Sequence, residues 1–152
     1  MKVTVITVSD RAYSGEYADL SGQIIEDILI KNFENIKINR ILIPDEEFAI
    51  VESLEKSISS DFILTTGGTG LSKRDITPEV CEKFCDKPVP GISEILRIES
   101  YKETPFAMLS RGYAGVKNNT LIVNFPGSPK AAKLCTEILI PIMPHFMEII
   151  KN

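Results

Sequence analysis

The amino-acid sequence predicts a three-layer α/β/α sandwich built on a mostly parallel β-sheet. Segments rich in β-branched residues alternate along the chain with segments whose apolar residues recur at helical spacing, which is typical of parallel sheets covered by helices. Polar loops that contain glycine or proline follow several of the predicted strands. The length of 152 residues suits one domain of ordinary size, so we expect residues 1–152 to form a single domain.

The first half of the chain predicts three strands and two helices. β-Branched residues dominate the first strand, and the polar residues Ser9-Asp10-Arg11 close it. Apolar residues three and four positions apart give each helix one buried face. The predicted strands span residues 2–8, 36–43 and 61–66, and the predicted helices span residues 21–33 and 46 or 47 to 59.

The second half of the chain is less regular and is interrupted by prolines. We expect a turn at Pro90-Gly91, a cap at Ser128 for the helix that follows it, and a kink or restart at Pro141 and Pro144. A hairpin turn should precede the last strand. The expected segments are helices over 78–84 and 92–103, a short helix and a strand within 106–116, the turn at 117–119, and a strand over 120–125.

Composition and charge exclude several classes of protein. The formal net charge of −4 argues against a nucleic-acid-binding protein, because such proteins carry basic patches. The N-terminus lacks a signal-peptide pattern and no apolar run is long enough to span a membrane, so we expect a cytoplasmic protein without a membrane partner. Three cysteines without paired spacing argue against a disulfide framework and a structural zinc site. Cys81 and Cys85 share a helix face and are expected to be small core residues.

The segment that follows the third predicted strand is the strongest candidate for a ligand site. Its glycines let backbone amides approach a ligand closely, and basic and acidic side chains follow at once. Pro78, at the first position of the next helix, leaves free amides and a positive dipole end directed at this segment, which favours a phosphate. We name residues 67–75 the glycine loop. Its candidate binding residues are Gly67, Gly68, Thr69, Gly70, Lys73, Arg74 and Asp75.

The glycine loop matches neither of two common nucleotide motifs. A P-loop requires GxxxxGK[ST], whereas Ser72 stands five residues after Gly67. The triplet Gly68-Thr69-Gly70 lacks the third glycine of a dinucleotide fingerprint. No catalytic triad is predicted either, because the only histidine, His145, lies on the last amphipathic segment, where we expect a structural or surface role.

Four polar loops are expected to meet at one edge of the sheet, because open α/β sheets bind ligands outside the carboxyl ends of their strands. These loops contain Ser9-Asp10-Arg11, Pro44-Asp45, the glycine loop and residues 124–128. Asp45 and Asp75, beside phosphate-binding amides, suit a magnesium ion that bridges a polyphosphate, since magnesium prefers few carboxylates together with phosphate oxygens. Spacing alone indicates nucleotide binding but does not decide it.

The same residues also have structural alternatives. Asp75 could cap the next helix, although Thr77 is better placed for that role, and Asp45 could cap the helix that follows it. The basic residues of the glycine loop could be solvated charges. Asp10 could bond local amides in a turn that closes the first strand.

Five segments of the chain carry most of these features: TVSDRAYSG, LIPDE, LTTGGTGLSKRDITPE, PFAMLSRGYAG and NFPGSPKA. In this order and spacing they resemble the Mog-type molybdopterin adenylyltransferase family, which also includes the G domain of gephyrin. The resemblance covers essentially the whole chain, and TTGGTG followed by RDxTPE is highly specific to this superfamily. AMLSR and PGSPKA favour its stand-alone adenylyltransferase branch.

The resemblance implies the molybdopterin-binding domain fold, a homotrimer, and a reaction of ATP with molybdopterin that gives adenylated molybdopterin and pyrophosphate. An enzyme that inserts molybdate is a candidate partner. The acidic pair of the family matches Asp45 and Asp75, which we expect to hold Mg²⁺ or to orient the pterin. Pocket positions for the pterin and the nucleotide fall on Ser9, Thr69, Ser110 and Asn124.

In the expected mechanism the terminal phosphate of molybdopterin attacks the α-phosphorus of ATP, so alignment and charge neutralisation supply most of the catalysis. Lys73 or Arg74 would offset charge on the leaving pyrophosphate, and Ser110 with Arg111 would grip the attacking phosphate. The expected catalytic residues are Asp45, Asp75 and Ser110. The other expected binding residues, besides those of the glycine loop, are Ser9, Asp10, Arg11, Arg111, Asn124, Pro126, Gly127 and Ser128.

Two other classes of function stay open from the sequence. A pterin-binding or scaffold protein shares this fold in gephyrin-like proteins and in the MoaB branch, although intact Asp45, Asp75 and Ser110 argue against it. A nucleotide hydrolase related to the competence-damage domain shares the GGTG core, but PFAMLSR and PGSPKA fit the Mog branch better. The sequence also leaves open whether the pathway uses molybdenum or tungsten.

Overall fold

The computed structural model describes residues 1–151 and contains one mixed β-sheet. Its strands are β1 Lys2–Val8, β2 Lys37–Ile43, β3 Phe62–Thr66, β4 Lys87–Pro88, β5 Ala114–Lys117 and β6 Thr120–Phe125. They lie in the order β2-β1-β3-β6-β5-β4. The first four strands of this order are parallel, and β5 and β4 extend the sheet as antiparallel neighbours. The prediction of a mostly parallel sheet is confirmed.

Helices connect the strands and cover both faces of the sheet. The α-helices are α1 Asp10–Tyr13, α2 Leu20–Asn32, α3 Glu47–Ser57, α4 Thr77–Phe84, α5 Pro90–Tyr101, α6 Pro129–Leu139 and α7 Met143–Ile150. Short 3-10 helices span Pro105–Leu109 and Ile140–Ile142. Within residues 1–151, none of the helices combines the length and apolarity needed to cross a membrane.

The core consists of two hydrophobic clusters, one on each face of the sheet. In β3, Phe62 and Leu64 pack into one cluster and Ile63 into the other, as the two-residue period of a strand requires. The first cluster includes residues of α2, α5, α6 and α7, and the second includes residues of α3 and α4. Full burial of a leucine, isoleucine or phenylalanine side chain stabilises the folded state by about 1.5–3 kcal/mol relative to leaving it exposed. This arrangement confirms the three-layer sandwich.

Most predicted elements are present with slightly shifted ends, and three differences have a physical reason. The turn expected at Pro90-Gly91 is wrong, since α5 begins at Pro90, whose missing N–H is not needed in a first helical turn. The loop expected after β1 contains α1, which Ser9 caps by accepting a 3.2 Å hydrogen bond from the amide of Ala12. The two-residue strand β4 is too short to leave a periodic pattern.

The predicted helix caps divide into one that is confirmed and two that are wrong. The Ser128 hydroxyl accepts a hydrogen bond from the amide of Ala131 and caps α6 as expected. Thr77 is the first residue of α4 rather than its cap, and its buried hydroxyl has no partner within residues 1–151. Asp45 does not cap α3, which begins after Glu46 without a side-chain cap. The interruption expected near Pro141 is confirmed by the second 3-10 helix.

The register of the sheet brings its carboxyl-terminal loops together. Val8 of β1 pairs with Ile43 of β2, and Thr66 of β3 pairs with Phe125 of β6. The residues that follow these strand ends therefore lie along one edge of the sheet. This edge carries the candidate site.

Candidate active site

A cavity of about 710 Å³ opens at the carboxyl-terminal edge of the parallel strands. The loops after β1, β2, β3 and β6 form most of its wall, and the segment 17–21 before and within α2 completes it. The expected gathering of these loops is therefore observed. Ten of the residues expected in the site line this cavity: Ser9, Asp10, Arg11, Asp45, Gly67, Gly68, Arg74, Asp75, Gly127 and Ser128.

The glycine loop has a backbone that requires glycine at two positions. Gly67 and Gly68 have φ values of 102° and 67°. A Cβ atom on Gly67 would lie 2.1 Å from the carbonyl oxygen of Val8, and one on Gly68 would lie 2.2 Å from Oγ1 of Thr77. The loop therefore packs directly on the end of β1 and on the start of α4.

The backbone amides of the glycine loop differ in whether they already donate a hydrogen bond to a protein atom. The N–H of Gly67 donates to the carbonyl of Phe125 at 3.1 Å, so it closes the sheet edge. Among the described residues, the amides of Gly68, Thr69 and Gly70 donate to no protein atom. Of these three residues only Gly68 lines the cavity, so its N–H, rather than that of Gly67, is free to receive an anion there.

Asp45 lines the cavity and exchanges hydrogen bonds with Asp10. The amide of Asp10 donates to Oδ2 of Asp45, and the amide of Asp45 donates to Oδ1 of Asp10, each at 2.9 Å. Burial raises the pKa of the Asp45 carboxyl, and the negative charges of Asp10 and Asp75 raise it further, against the hydrogen bond from Asp10 and the charge of Arg74. The carboxylate thus stands in a negative field that a bound cation would relieve.

Arg74 forms a two-pronged ion pair with Asp10. Its Nε and Nη2 atoms donate to the two carboxylate oxygens of Asp10, each at 2.9 Å. The hydrogen bond from Arg74 lowers the pKa of Asp10. Arg74 is therefore not a simple solvated charge, and two of its donors already face a carboxylate rather than the open cavity.

Asp75 lines the same cavity and stabilises the glycine loop from within. Its Oδ2 accepts a 2.9 Å hydrogen bond from the amide of Ser72, and a Cβ on Gly70 would lie 3.0 Å from this oxygen. The side chain does not cap α4, whose preceding residue Ile76 makes no side-chain cap bond. Asp75 thus presents a carboxylate beside the free amides of the loop.

Asp45 and Asp75 fit a magnesium ion that is shared with a phosphate. Both carboxylates line the cavity, as does Gly68, whose amide is free. Within residues 1–151 no group of three or more acidic, histidine or cysteine side chains converges on one point, so an all-protein cage is not built. Two carboxylates completed by phosphate oxygens and water form the kind of site that magnesium takes with polyphosphates.

Arg111 braces the glycine loop instead of facing the main cavity. Its Nε donates to the carbonyl of Gly70 at 2.8 Å, its Nη2 donates to the carbonyl of Asp75 at 2.6 Å, and its Nη1 pairs with Glu79. Its amide also donates to the carbonyl of Thr69 at 2.9 Å. The structure thus holds this guanidinium against the glycine loop, and its expected role in gripping the attacking phosphate stays a prediction.

Asn124 lies inside the sheet and not in the main cavity. The residue is 2% exposed, and its Oδ1 accepts a 3.1 Å hydrogen bond from the amide of Tyr113. Its Nδ2 donates to Oγ1 of Thr65 at 2.9 Å and to Sγ of Cys81 at 3.2 Å. These hydrogen bonds join β6 to the neighbouring segments, and the expected role of Asn124 in the pterin and nucleotide pocket stays a prediction.

The remaining expected residues lie outside the main cavity. Ser110 borders a neighbouring depression of about 450 Å³, together with Arg97, Arg111 and Tyr113. Thr69 is buried, and Lys73 is exposed away from the cavity lining. Pro126 accepts a hydrogen bond from Oγ1 of Thr66 through its carbonyl.

Tyr17 and Asp19 belong to the cavity wall and were not predicted. Tyr17 lines the cavity, with its hydroxyl 3.0 Å from Oγ of Ser9 and its ring under the guanidinium of Arg11. Asp19 caps α2 through the amide of Gly22 and pairs with Arg40. An acidic residue three positions before a glycine at a helix start is a cap signal that could have placed Asp19.

Comparisons with known proteins find similar sequences over most of this chain. The family described as "Probable molybdopterin binding domain" matches residues 4–145. A molybdopterin adenylyltransferase of Helicobacter pylori is 41% identical over 152 residues, covering 97% of this chain and 86% of that protein. A molybdopterin adenylyltransferase of Escherichia coli K12 is 36% identical, covering 88% of this chain and 70% of that protein.

A solved structure shows the same fold. The molybdopterin biosynthesis enzyme MoaB of Thermus thermophilus superposes with a TM-score of 0.90 at 38% identity, covering 99% of this chain and 97% of that one. The sequence match and the structural match both extend over nearly the whole chain. The chain therefore belongs to the molybdopterin-binding domain family of molybdenum cofactor biosynthesis.

Proposed function

We propose that this protein is a molybdopterin adenylyltransferase. The terminal phosphate of molybdopterin forms a bond to the α-phosphorus of ATP, the bond to the β-phosphate oxygen breaks, and pyrophosphate leaves. The observation that carries the proposal is one cavity lined by Gly68, whose amide is free, and by the carboxylates of Asp45 and Asp75. Two relatives named molybdopterin adenylyltransferase, at 41% and 36% identity, support it.

The chain's own groups favour phosphates at this edge of the sheet. The amide of Gly68 is a free donor in the cavity wall, and the capped N-terminus of α6, at Ser128, lines the same cavity. These groups would hold ATP through its phosphates and keep the α-phosphorus fixed for attack. Alignment of this kind supplies most of the rate enhancement in a transfer that needs no covalent enzyme intermediate.

Magnesium is part of the proposal. Asp45 and Asp75 would hold the ion, which when bound neutralises charge on the phosphate oxygens. Burial is the main cause of the raised pKa of Asp45, and repulsion by Asp10 and Asp75 adds to it, so a bound cation would favour the ionised form of Asp45.

The second substrate is proposed to lie against the depression that Ser110 borders. Arg111 borders this depression and braces the glycine loop. The Ser110 hydroxyl would bind the attacking phosphate, and Arg111 would act through the loop that it holds.

The cellular setting and assembly are proposed as well. Free thiols at Cys81, Cys85 and Cys135 and the use of ATP suit the cytoplasm, where thiols stay reduced. Large exposed apolar side chains on α5 and the first 3-10 helix support contact between copies of the chain. We propose that the assembly is a homotrimer, and a mass measurement in solution tests this number. A molybdate-inserting enzyme would be the partner that takes the product. The exposed apolar residues are Ile95, Ile98, Tyr101, Phe106, Met108 and Leu109.

The deciding experiment incubates the purified protein with magnesium, ATP and molybdopterin and follows pyrophosphate and adenylated pterin. Release that requires both substrates and the metal supports the proposal. Binding of pterin without turnover would favour a scaffold, and ATP hydrolysis without pterin would favour a hydrolase. The similarity to the adenylyltransferases makes both alternatives the less supported ones.

Asp75→Asn tests the acidic pair within the same assay. The amide keeps an oxygen acceptor for the N–H of Ser72 but removes the charge, so the fold should persist while turnover falls by about 100-fold or more. Thermal unfolding checks the fold, and pyrophosphate release checks the rate. Turnover like that of the wild type would remove Asp75 from the mechanism.

A further inference from the structure

We propose that Asp10 and Arg74 are positioning residues that aim one oxygen of the Asp45 carboxylate into the cavity, an inference that rests on the proposed function. Neither side chain needs to contact the reacting atoms for this role. The two residues come from loops after β1 and β3, whereas Asp45 follows β2, so the cluster ties three strand ends together. We name Asp10, Asp45 and Arg74 the carboxylate clamp.

Asp10 fixes which oxygen of Asp45 is available. Its amide donates to Oδ2 of Asp45 at 2.9 Å, so that oxygen is occupied. The other oxygen, Oδ1, accepts no hydrogen bond from the described residues, and a Cβ on Gly68 would lie 3.1 Å from it. Asp45 therefore presents Oδ1 beside the free amide of Gly68, where the phosphates are proposed to lie.

Arg74 holds the Asp10 carboxylate against the backbone amide of Asp45, and this fixes the Asp45 main chain beside the Asp10 amide that binds its carboxylate. A two-pronged guanidinium–carboxylate pair fixes direction as well as distance, because both oxygens of the carboxylate are engaged. The same Oδ1 of Asp10 also accepts the amide of Asp45 at 2.9 Å. Rotation of the Asp10 side chain would therefore break contacts to both partners.

The ion pair is too exposed to serve mainly as a source of stability. The side chains of Arg74 and Asp10 are 56% and 41% exposed, and ion pairs with such exposure stabilise proteins little. What the pair does provide is a fixed geometry at a carboxylate that faces the cavity. Its effect should therefore appear in the rate of the reaction and not in the stability of the fold.

Arg74→Gln is the first test, with magnesium, ATP and molybdopterin as the probes. We expect kcat to fall about 10- to 100-fold, because loss of alignment by about 1 Å has that effect, while KM for ATP changes less than roughly threefold. Arg74→Lys should restore part of kcat, since one ammonium can replace one of the two hydrogen bonds. The matched control Lys56→Gln removes a cation from an exposed ion pair on α3 and should leave kcat unchanged.

The decisive test repeats Arg74→Gln in the Asp45→Asn background under single-turnover conditions. If Arg74 acts through Asp45, Arg74→Gln should lower the single-turnover rate of the Asp45→Asn variant by less than about twofold, because the effects of the two changes are coupled. An equal loss in both backgrounds, or a loss confined to KM, means that Arg74 contacts the nucleotide itself and overturns the inference. Wild-type protein that releases no pyrophosphate overturns the proposed function together with this inference, so the two failures are distinguishable.

Discussion

Gly68 is the residue whose replacement tests the glycine loop most directly. Its φ of 67° disfavours a side chain, and an alanine Cβ would lie 2.2 Å from Oγ1 of the buried Thr77. We expect Gly68→Ala to lower the free energy of unfolding by about 1–3 kcal/mol and to weaken ATP binding, since the loop must shift away from its free-amide geometry. Urea unfolding and a nucleotide titration measure the two effects.

Gly91→Ala is the matched control for this change. Gly91 lies in the first turn of α5, and no neighbouring atom would come within 4 Å of its Cβ. Alanine is favoured over glycine in helices by roughly 0.5–1 kcal/mol, so stability should stay the same or rise. Equal losses in the two variants would mean that the loop geometry is not what Gly68 provides.

The position of a single residue in the fold can be predicted from the sequence where the sheet edge determines it. It cannot where a hydrogen-bond partner far away in the sequence determines it. Asp45 and Asp75 follow parallel strands, and the rule that such loops converge was enough to bring them together. Asn124 and Arg111 instead take partners 59 and 41 residues away. A hydrogen bond between loops depends on register and rotamer, which no local pattern encodes.

Helix α6 offers a test that separates stability from ligand binding. Ser128 caps this helix, so Ser128→Ala should lower the free energy of unfolding by about 1 kcal/mol. Ser128→Asp keeps an oxygen for the amide of Ala131 and should retain stability, but its charge would enter the cavity and raise KM for ATP. An unchanged KM in the aspartate variant would mean that phosphates do not lie near this helix end.

Elements were predicted to within about two residues at most ends because β-branched runs and amphipathic periodicity are local signals. The elements that were predicted wrongly begin at a proline or at a capping residue, where the local sequence fits more than one structure. Pro90-Gly91 is compatible with a turn and with a helix start, and only packing of Leu96 into the core selects the helix. α1 consists of one turn, which leaves too few residues for a periodic pattern.

The layered architecture of the whole molecule follows from alternation along the chain, but the order of the strands does not. Buried apolar strands joined by right-handed crossovers need helices on both faces of the sheet. The alternation of strand and helix patterns in the sequence predicts this arrangement. The position of β6 between β3 and β5 instead depends on which strand edges are left free after the first three strands pair. The strand order is therefore decided by pairing in the assembled sheet and not by a local sequence pattern.

Buried thiols predict how stability of the whole fold responds to alkaline pH. Burial raises the pKa of Cys81 to about 12 and the pKa values of Cys85 and Cys135 to about 11. An unfolded chain releases these protons at its lower, ordinary pKa of about 8.5. Above that pH the unfolded state binds fewer protons than the folded state, so the free energy of unfolding falls as pH rises.

The size of this effect can be measured without any substrate. Each thiol contributes up to about 1.4 kcal/mol per pH unit while only the unfolded state titrates, so the loss should be small at about pH 8 and clear by about pH 10. Urea unfolding in the presence of a reductant gives the slope. A variant with alanine at Cys81, Cys85 and Cys135 starts from a lower stability but should show a shallower slope, because none of its side chains at these positions titrates. Parallel slopes for the two proteins would assign the alkaline loss to other groups, such as Tyr113, whose pKa burial raises to about 12.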